Sequence, residues 1–169
     1  MLNQTSNLQA VVHDFRETIQ NAGERLSRIS DEASSVKPDP GKWSQKEIIG
    51  HLIDSAANNH ARFVRAQISD HLEFPGYEQE EWVATQRYNE EPWENLVALW
   101  KFYNLHLCHV ISVASDKVTQ KSHSKHSLDR IAFKAVNSDQ PATLDYFMRD
   151  YIDHLHHHLK QIWQLEIRN

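Results

Sequence analysis

The chain has 169 residues, of which 40% are hydrophobic and 24% charged, with four glycines and five prolines; this suits one soluble domain built from long helices. A net charge of −5, a pI near 6.2 and the lack of any Lys/Arg run argue against a nucleic-acid partner. The single Cys108 excludes a disulfide framework and a cysteine-based zinc motif and points to the cytoplasm. The start "MLNQTSNLQAVVHDF" lacks the features of a signal peptide, and no apolar run approaches the roughly 18 residues of a membrane span.

The first predicted helix runs from Leu8 to about Ala33. Leu8, Val11, Val12, Phe15, Ile19, Ala22, Leu26 and Ile29 recur at the spacing that gathers them on one face. "KPDPGKW" ends it with two prolines and a glycine. The second helix starts after Ser44, with Glu47 completing a capping box, and continues through "EIIGHLIDSAANNHARFVRAQI" to about Ile68.

Residues 69–91 form a long connection carrying Pro75, Gly76, Tyr77 and Trp82, a length that marks a functional loop or a short helix of its own. Pro92 suits the first turn of a third helix, from Trp93 to about Ala114. This helix is expected to bury Leu96, Trp100, Tyr103, Leu107, Val110 and Ile111 and to turn Cys108 away from the core stripe, so Cys108 is not expected to act as a nucleophile. A second long connection covers residues 115–140, and the fourth helix spans about Ala142 to Ile167. The expected fold is all-α, a four-helix bundle with two long connections forming a single domain over residues 1–169. The connections leave the order of the helices around the bundle open.

The fourth helix reads "YFMRDYIDHLHHHLKQIW". Its apolar residues Leu144, Phe147, Met148, Tyr151, Leu155, Leu159, Ile162 and Leu165 define a core arc at 100° per residue. His158 lies within that arc and His154 at its edge, whereas His156 and His157 project elsewhere. Two imidazoles four residues apart on one face can reach one metal ion. A divalent metal needs a further ligand, and His51 on the second helix is the best candidate. It shares a polar stripe with Asp54, Ser55, Asn58, Arg62 and Arg65, which periodicity allows to be a solvated surface or the wall of a wet cleft. His13, His60 and His71 look exposed, His109 points outward, and His106 lies at the core edge of the third helix.

The combination W-S-x-x-E-x-x-x-H-L-x-D, in "GKWSQKEIIGHLIDSAANNHARFVRAQ", with H-x-x-x-H-x-x-Q, in "DYIDHLHHHLKQIW", resembles the DinB-like (YfiT-like) superfamily of metal-binding four-helix bundles. The resemblance implies that His51, His154 and His158 bind a divalent metal, nickel or zinc. Three neutral ligands would leave positions for water or substrate. It further implies either a transferase that uses a low-molecular-weight thiol, such as bacillithiol or mycothiol, or a metal-dependent hydrolase. A non-catalytic bundle stabilised by metal is the remaining alternative.

Asp54, one turn after His51, is the candidate catalytic carboxylate. Asn58 and Arg62 are candidates for holding an anionic substrate or thiol, with Tyr77 and Trp82 as a lid; His157 is a candidate for supporting the ligands from outside. Thiol transfer is preferred to hydrolysis, because no proton-moving carboxylate is securely placed. The expected partner is a small molecule, with neither nucleic acid nor membrane, and a homodimer is left open.

Overall fold

The computed structural model describes residues 8–166. Among them the elements in chain order are α1 (Leu8–Leu26), α2 (Asp31–Ser34), α3 (Gln45–Ser69), α4 (Gln79–Gln86), a 3-10 turn (Tyr88–Glu90), α5 (Trp93–Ser112), α6 (Asp116–Thr119), α7 (Leu128–Ile131) and α8 (Leu144–Glu166). The chain is all-α, and the four long helices α1, α3, α5 and α8 form the bundle. Only two isolated β-bridges occur among the described residues. The expected end of the fourth helix at Ile167 lies outside them. No described helix is long and apolar enough to cross a membrane.

The first helix is shorter than its periodicity predicts. It ends at Leu26, and a separate turn, α2, starts after Ser30, whose side chain accepts a hydrogen bond from Ala33 N. The cause is tertiary. The Trp93 indole donates to the Leu26 carbonyl at 2.9 Å, and the Trp93 backbone N–H donates to Asp31 Oδ1 at 2.7 Å. The first bond engages the Leu26 carbonyl that a continuing helix would have used, and the second satisfies a free N–H at the start of α5. In contrast, α3 begins as its sequence predicts, with Ser44 and Glu47 forming a reciprocal capping box. Pro92 stands at the N-cap of α5, one position before the predicted first turn.

Helix α3 packs on both α5 and α8, and α1 packs mainly on α5 and more lightly on α8. The order around the bundle is therefore α1, α5, α3, α8, with α1 diagonal to α3 and α5 diagonal to α8. The connection through α4 joins neighbours, while the connection through α6 and α7 crosses the diagonal.

The core is rich in aromatics: Phe15, Phe63, Trp100, Phe147 and Tyr151 are all buried. Phe63 meets Phe147 and Tyr151 edge-on at ring separations of 5.4 and 5.8 Å. Each such side chain contributes about 1.5–3 kcal/mol by leaving water. Two expectations for α5 need correction. Tyr103 is only half-buried, and Cys108 is completely buried. The stripe is turned so that Asn104 and Cys108 face inward, and Asn104 Oδ1 accepts a 2.6 Å hydrogen bond from the Tyr151 hydroxyl.

Candidate metal centre

Helix α3 brings His51 against His154 and His158 of α8. Each of the three residues offers one ligand atom, and these atoms lie within 4.8 Å of one another. The Nε2 atoms of His51 and His154 are 3.1 Å apart, and the ring centroids of the three pairs are 4.5–5.1 Å apart. Burial, and secondarily the neighbouring imidazoles, depresses the pKa of His51 to about 3 and of His154 to about 2; burial also lowers that of His158. All three are therefore neutral near pH 7, the state a metal ligand requires.

The surrounding residues orient these rings. Gln161 Oε1 accepts from His158 Nδ1 at 2.8 Å, which leaves the His158 Nε2 lone pair free. Ser55 Oγ lies 3.4 Å from His154 Nδ1 and accepts from Asn59 Nδ2 at 3.3 Å. His51 Nδ1 is buried without a hydrogen-bond partner, so the protein alone does not satisfy this ring. Converging neutral imidazoles, two of them held from behind with ring nitrogens close enough to share one ion, fit a divalent cation.

The histidines open onto a cavity of about 420 Å³, within the usual range for small-molecule sites. The two long connections form much of its wall, with Gly76, Tyr77 and Gln79 on one side and residues 130–133 on the other. They are joined to each other: Ser127 N donates to the Leu72 carbonyl at 3.0 Å, and Phe74 N donates to Ser127 Oγ at 2.9 Å. Phe133 packs against His154 and His157, with ring separations of 5.5 and 5.2 Å.

The polar stripe of α3 divides into two faces. His51, Ser55, Asn59 and Arg62, spaced 4, 4 and 3 residues apart, turn toward α8; the last three line the cavity. Asp54 and Asn58 do not line it. Asp54 Oδ1 accepts from Gln86 Nε2 and from the Tyr88 hydroxyl, both at 2.7 Å, and Asn58 Nδ2 donates to the Asp54 carbonyl at 2.9 Å. Gly50 makes this arrangement possible, since a Cβ there would overlap the Tyr88 ring. Asp54 thus faces α4 and the turn after it, because one residue of helix rotates a side chain by about 100°. Arg65 is exposed.

Tyr77 lies on the cavity wall. Trp82 packs behind it at a ring separation of 5.0 Å and does not line the cavity. Burial, reinforced by Asp54, raises the Tyr77 phenol to about 12. His157 lines the cavity and accepts from Gln161 Nε2 at 3.1 Å, whereas His156 stands apart. A second group of histidines lies elsewhere: half-buried His60 meets exposed His106 at 5.0 Å, so His106 is not at the core edge.

Sequence reasoning missed Asp150, which lines the cavity and is 4% exposed. Its two oxygens accept from Phe133 N and Lys134 N, each at 2.7 Å. Burial raises its pKa, against the opposing effect of these two bonds. A signal was present, since Asp150 precedes His154 by four residues on the same helix face. Arg130, on the one-turn helix α7, and Phe133, on the irregular backbone after it, lie in segments too short or irregular for periodicity to mark them.

Fold and site together define a helical bundle with three clustered imidazoles beside a polar, partly open cavity. The model of the DinB superfamily matches residues 14–162, and the chain belongs to that superfamily. Comparison with curated proteins gives no match. Among solved structures the chain is similar to YfiT from Bacillus subtilis, described as "a probable metal-dependent hydrolase with an unusual four-helix bundle topology". The TM-score is 0.74 at 16% identity, covering 99% of this chain and 93% of that one.

Proposed function

We propose that this protein is a divalent-metal-dependent hydrolase in which His51, His154 and His158 hold the metal and Asp150 moves the proton. The observation that carries this reading is a fixed buried carboxylate, Asp150, in the cavity that His154 and His158 line, with His51 close behind them as third imidazole. The description of YfiT supports the same reaction class. A divalent ion held by the three histidines supplies Lewis acidity and lowers the pKa of a bound water or thiol.

The chain's own residues do the rest. The backbone N–H groups of Phe133 and Lys134 position the Asp150 carboxylate, and each oxygen keeps a lone pair beyond that bond. Burial makes Asp150 a stronger base than an exposed aspartate, suited to taking a proton from the nucleophile and returning it to the leaving group. Ser55 and Gln161 hold the imidazoles in orientation. Tyr77, protonated at any physiological pH, offers a hydroxyl to charge that develops in the cavity. Cys108 is buried with its thiol pushed up to about 11 and has no part in the chemistry.

Transfer from a low-molecular-weight thiol is the second reading, and the observation favouring it is the pair of guanidinium groups, Arg62 and Arg130, on the cavity wall. Such thiols carry carboxylates that guanidinium groups bind. Asp150 shifts the preference to hydrolysis, because it supplies the carboxylate that the sequence left unplaced.

The test is turnover of an ester and amide panel by zinc- or nickel-loaded protein, with and without bacillithiol, mycothiol or another small thiol. Thiol-independent hydrolysis is expected. It should be lost in His154→Ala and fall about 10²–10⁴-fold in Asp150→Asn with metal content unchanged. Consumption of electrophiles only when thiol is present would replace hydrolysis with the transferase reading.

A further inference from the structure

Arg62 is 6% exposed, yet its guanidinium has only neutral acceptors. One nitrogen donates to the Pro75 carbonyl at 2.7 Å and another to Asn59 Oδ1 at 3.3 Å. Among the described residues no carboxylate forms an ion pair with it, and its electrostatic neighbour is the neutral Tyr77 phenol, whose ring centroid is 6.0 Å from the guanidinium carbon. Buried charges in proteins are ordinarily paired, because an unpaired one forfeits its hydration without return. Arg62 is also part of the cavity wall; Arg130 adds a second, largely exposed guanidinium there, which is paired with Asp129 at 3.7 Å. The acid on that wall is Asp150, whose two oxygens already accept backbone N–H groups. Arg62 is therefore a buried positive charge on the cavity wall with no acidic partner among the described residues.

We infer that Arg62 is a binding residue for an anionic group of the substrate, a carboxylate or a phosphate, set apart from the histidine site along α3. Ser55, beside His154, and Arg62 are seven residues apart, roughly 10 Å of helix rise. The substrate is thus elongated, with its reacting bond at the histidines and its anion toward Arg62. The planar guanidinium suits either anion through paired N–H donors. The reacting end rests on the hydrolase reading, whereas the anion subsite stands without it.

Two arms separate these claims. In the first, metal-free protein is titrated with inorganic phosphate and with acetate, which need no metal and no turnover. Saturable binding of one or both is expected in wild type, with the anion that binds more tightly identifying the source. It should weaken at least tenfold in Arg62→Gln and be partly restored in Arg62→Lys. In the second arm, metal-loaded protein is titrated with alkyl hydroxamates of graded length, with or without a terminal carboxylate. The carboxylated series should bind at least tenfold more tightly, with an optimum at intermediate length, and Arg62→Gln should erase only that advantage.

If Arg62 merely clamped the segment around Pro75, its loss would lower thermal stability and weaken both hydroxamate series equally. That result, or the absence of anion binding by metal-free wild type, would overturn the proposal. Anion binding in the first arm with no hydroxamate affinity in the second would retain the subsite and reject the metal reading. Should Arg62→Gln fail to fold, the wild-type comparison and Arg62→Lys decide: equal binding of the carboxylated and uncarboxylated hydroxamates by wild type, or an undiminished carboxylate advantage in Arg62→Lys, would overturn the proposal.

Discussion

His51 and His154 bind protons far more weakly than a free imidazole, with pKa values near 3 and 2 against an ordinary 6.5, chiefly because they are buried. The unfolded chain, with ordinary histidines, therefore takes up protons first as the pH falls. The stability these groups contribute is present above pH 6.5 and is lost as the pH drops toward their folded values. By pH 5 the loss is about 2 kcal/mol for each fully shifted group. Metal-free protein should accordingly show a falling unfolding midpoint between pH 7 and 5, and His51→Gln should flatten that slope; an unchanged slope would reject burial of this imidazole as its source. Ser55 and Gln161 belong to the same scale. Replacing either with Ala should weaken metal affinity about 10–100-fold by releasing an imidazole, as read by competition with a chelator. His156→Ala should leave affinity unchanged, because that side chain stands outside the cavity.

At the scale of the element, α3 does two jobs on two faces. Its His51–Ser55–Asn59–Arg62 face builds the site, and its Gly50–Asp54 face seats the segment around Tyr88. The absence of a Cβ at Gly50 lets the Tyr88 ring lie against the helix and its hydroxyl reach Asp54. Gly50→Ala should then destabilise the protein by about 1–3 kcal/mol through overpacking, despite the better helix propensity of alanine. In a Tyr88→Ala background the same substitution should cost little or become favourable. Denaturant unfolding of the four proteins measures the coupling, and equal costs in both backgrounds would show that the clash is not with Tyr88. The shortened α1 shows the limit of periodicity at this scale. Ile29 continues the apolar spacing, but Trp93, far along the chain, takes the Leu26 carbonyl and ends the helix.

For the whole molecule, the aromatic core and the histidine site are separate sources of stability. Phe15, Phe63 and Trp100 are buried in the core away from the cavity lining and offer a metal no ligand. Stripping the metal should lower the thermal midpoint by an amount that depends on free metal concentration, while helical circular dichroism at 25 °C is retained. Loss of helical signal on chelation would show that the metal is required for folding. The cavity likewise belongs to the whole molecule, because its walls come from both long connections and meet through Ser127 and Leu72.

Local repetition determined much of this protein. The 3.6-residue period marked four helices, the capping box marked the start of α3, and the same period set His154 and His158 on one face. Both are consequences of helix geometry, which needs only near neighbours in the chain. The period also carried Asp150 and Gln161 onto that face, although nothing local distinguished Asp150 from a solvated aspartate. Only the tertiary structure decided which half of the polar stripe on α3 meets α8 and which half meets Tyr88, because a helix has no fixed rotation until its neighbours pack. It also decided the diagonal order of the helices, the placing of Phe133 beside His154 and the presence of Arg130 on the same cavity wall. Those contacts join residues far apart in sequence across irregular backbone, where no repeat exists to record them.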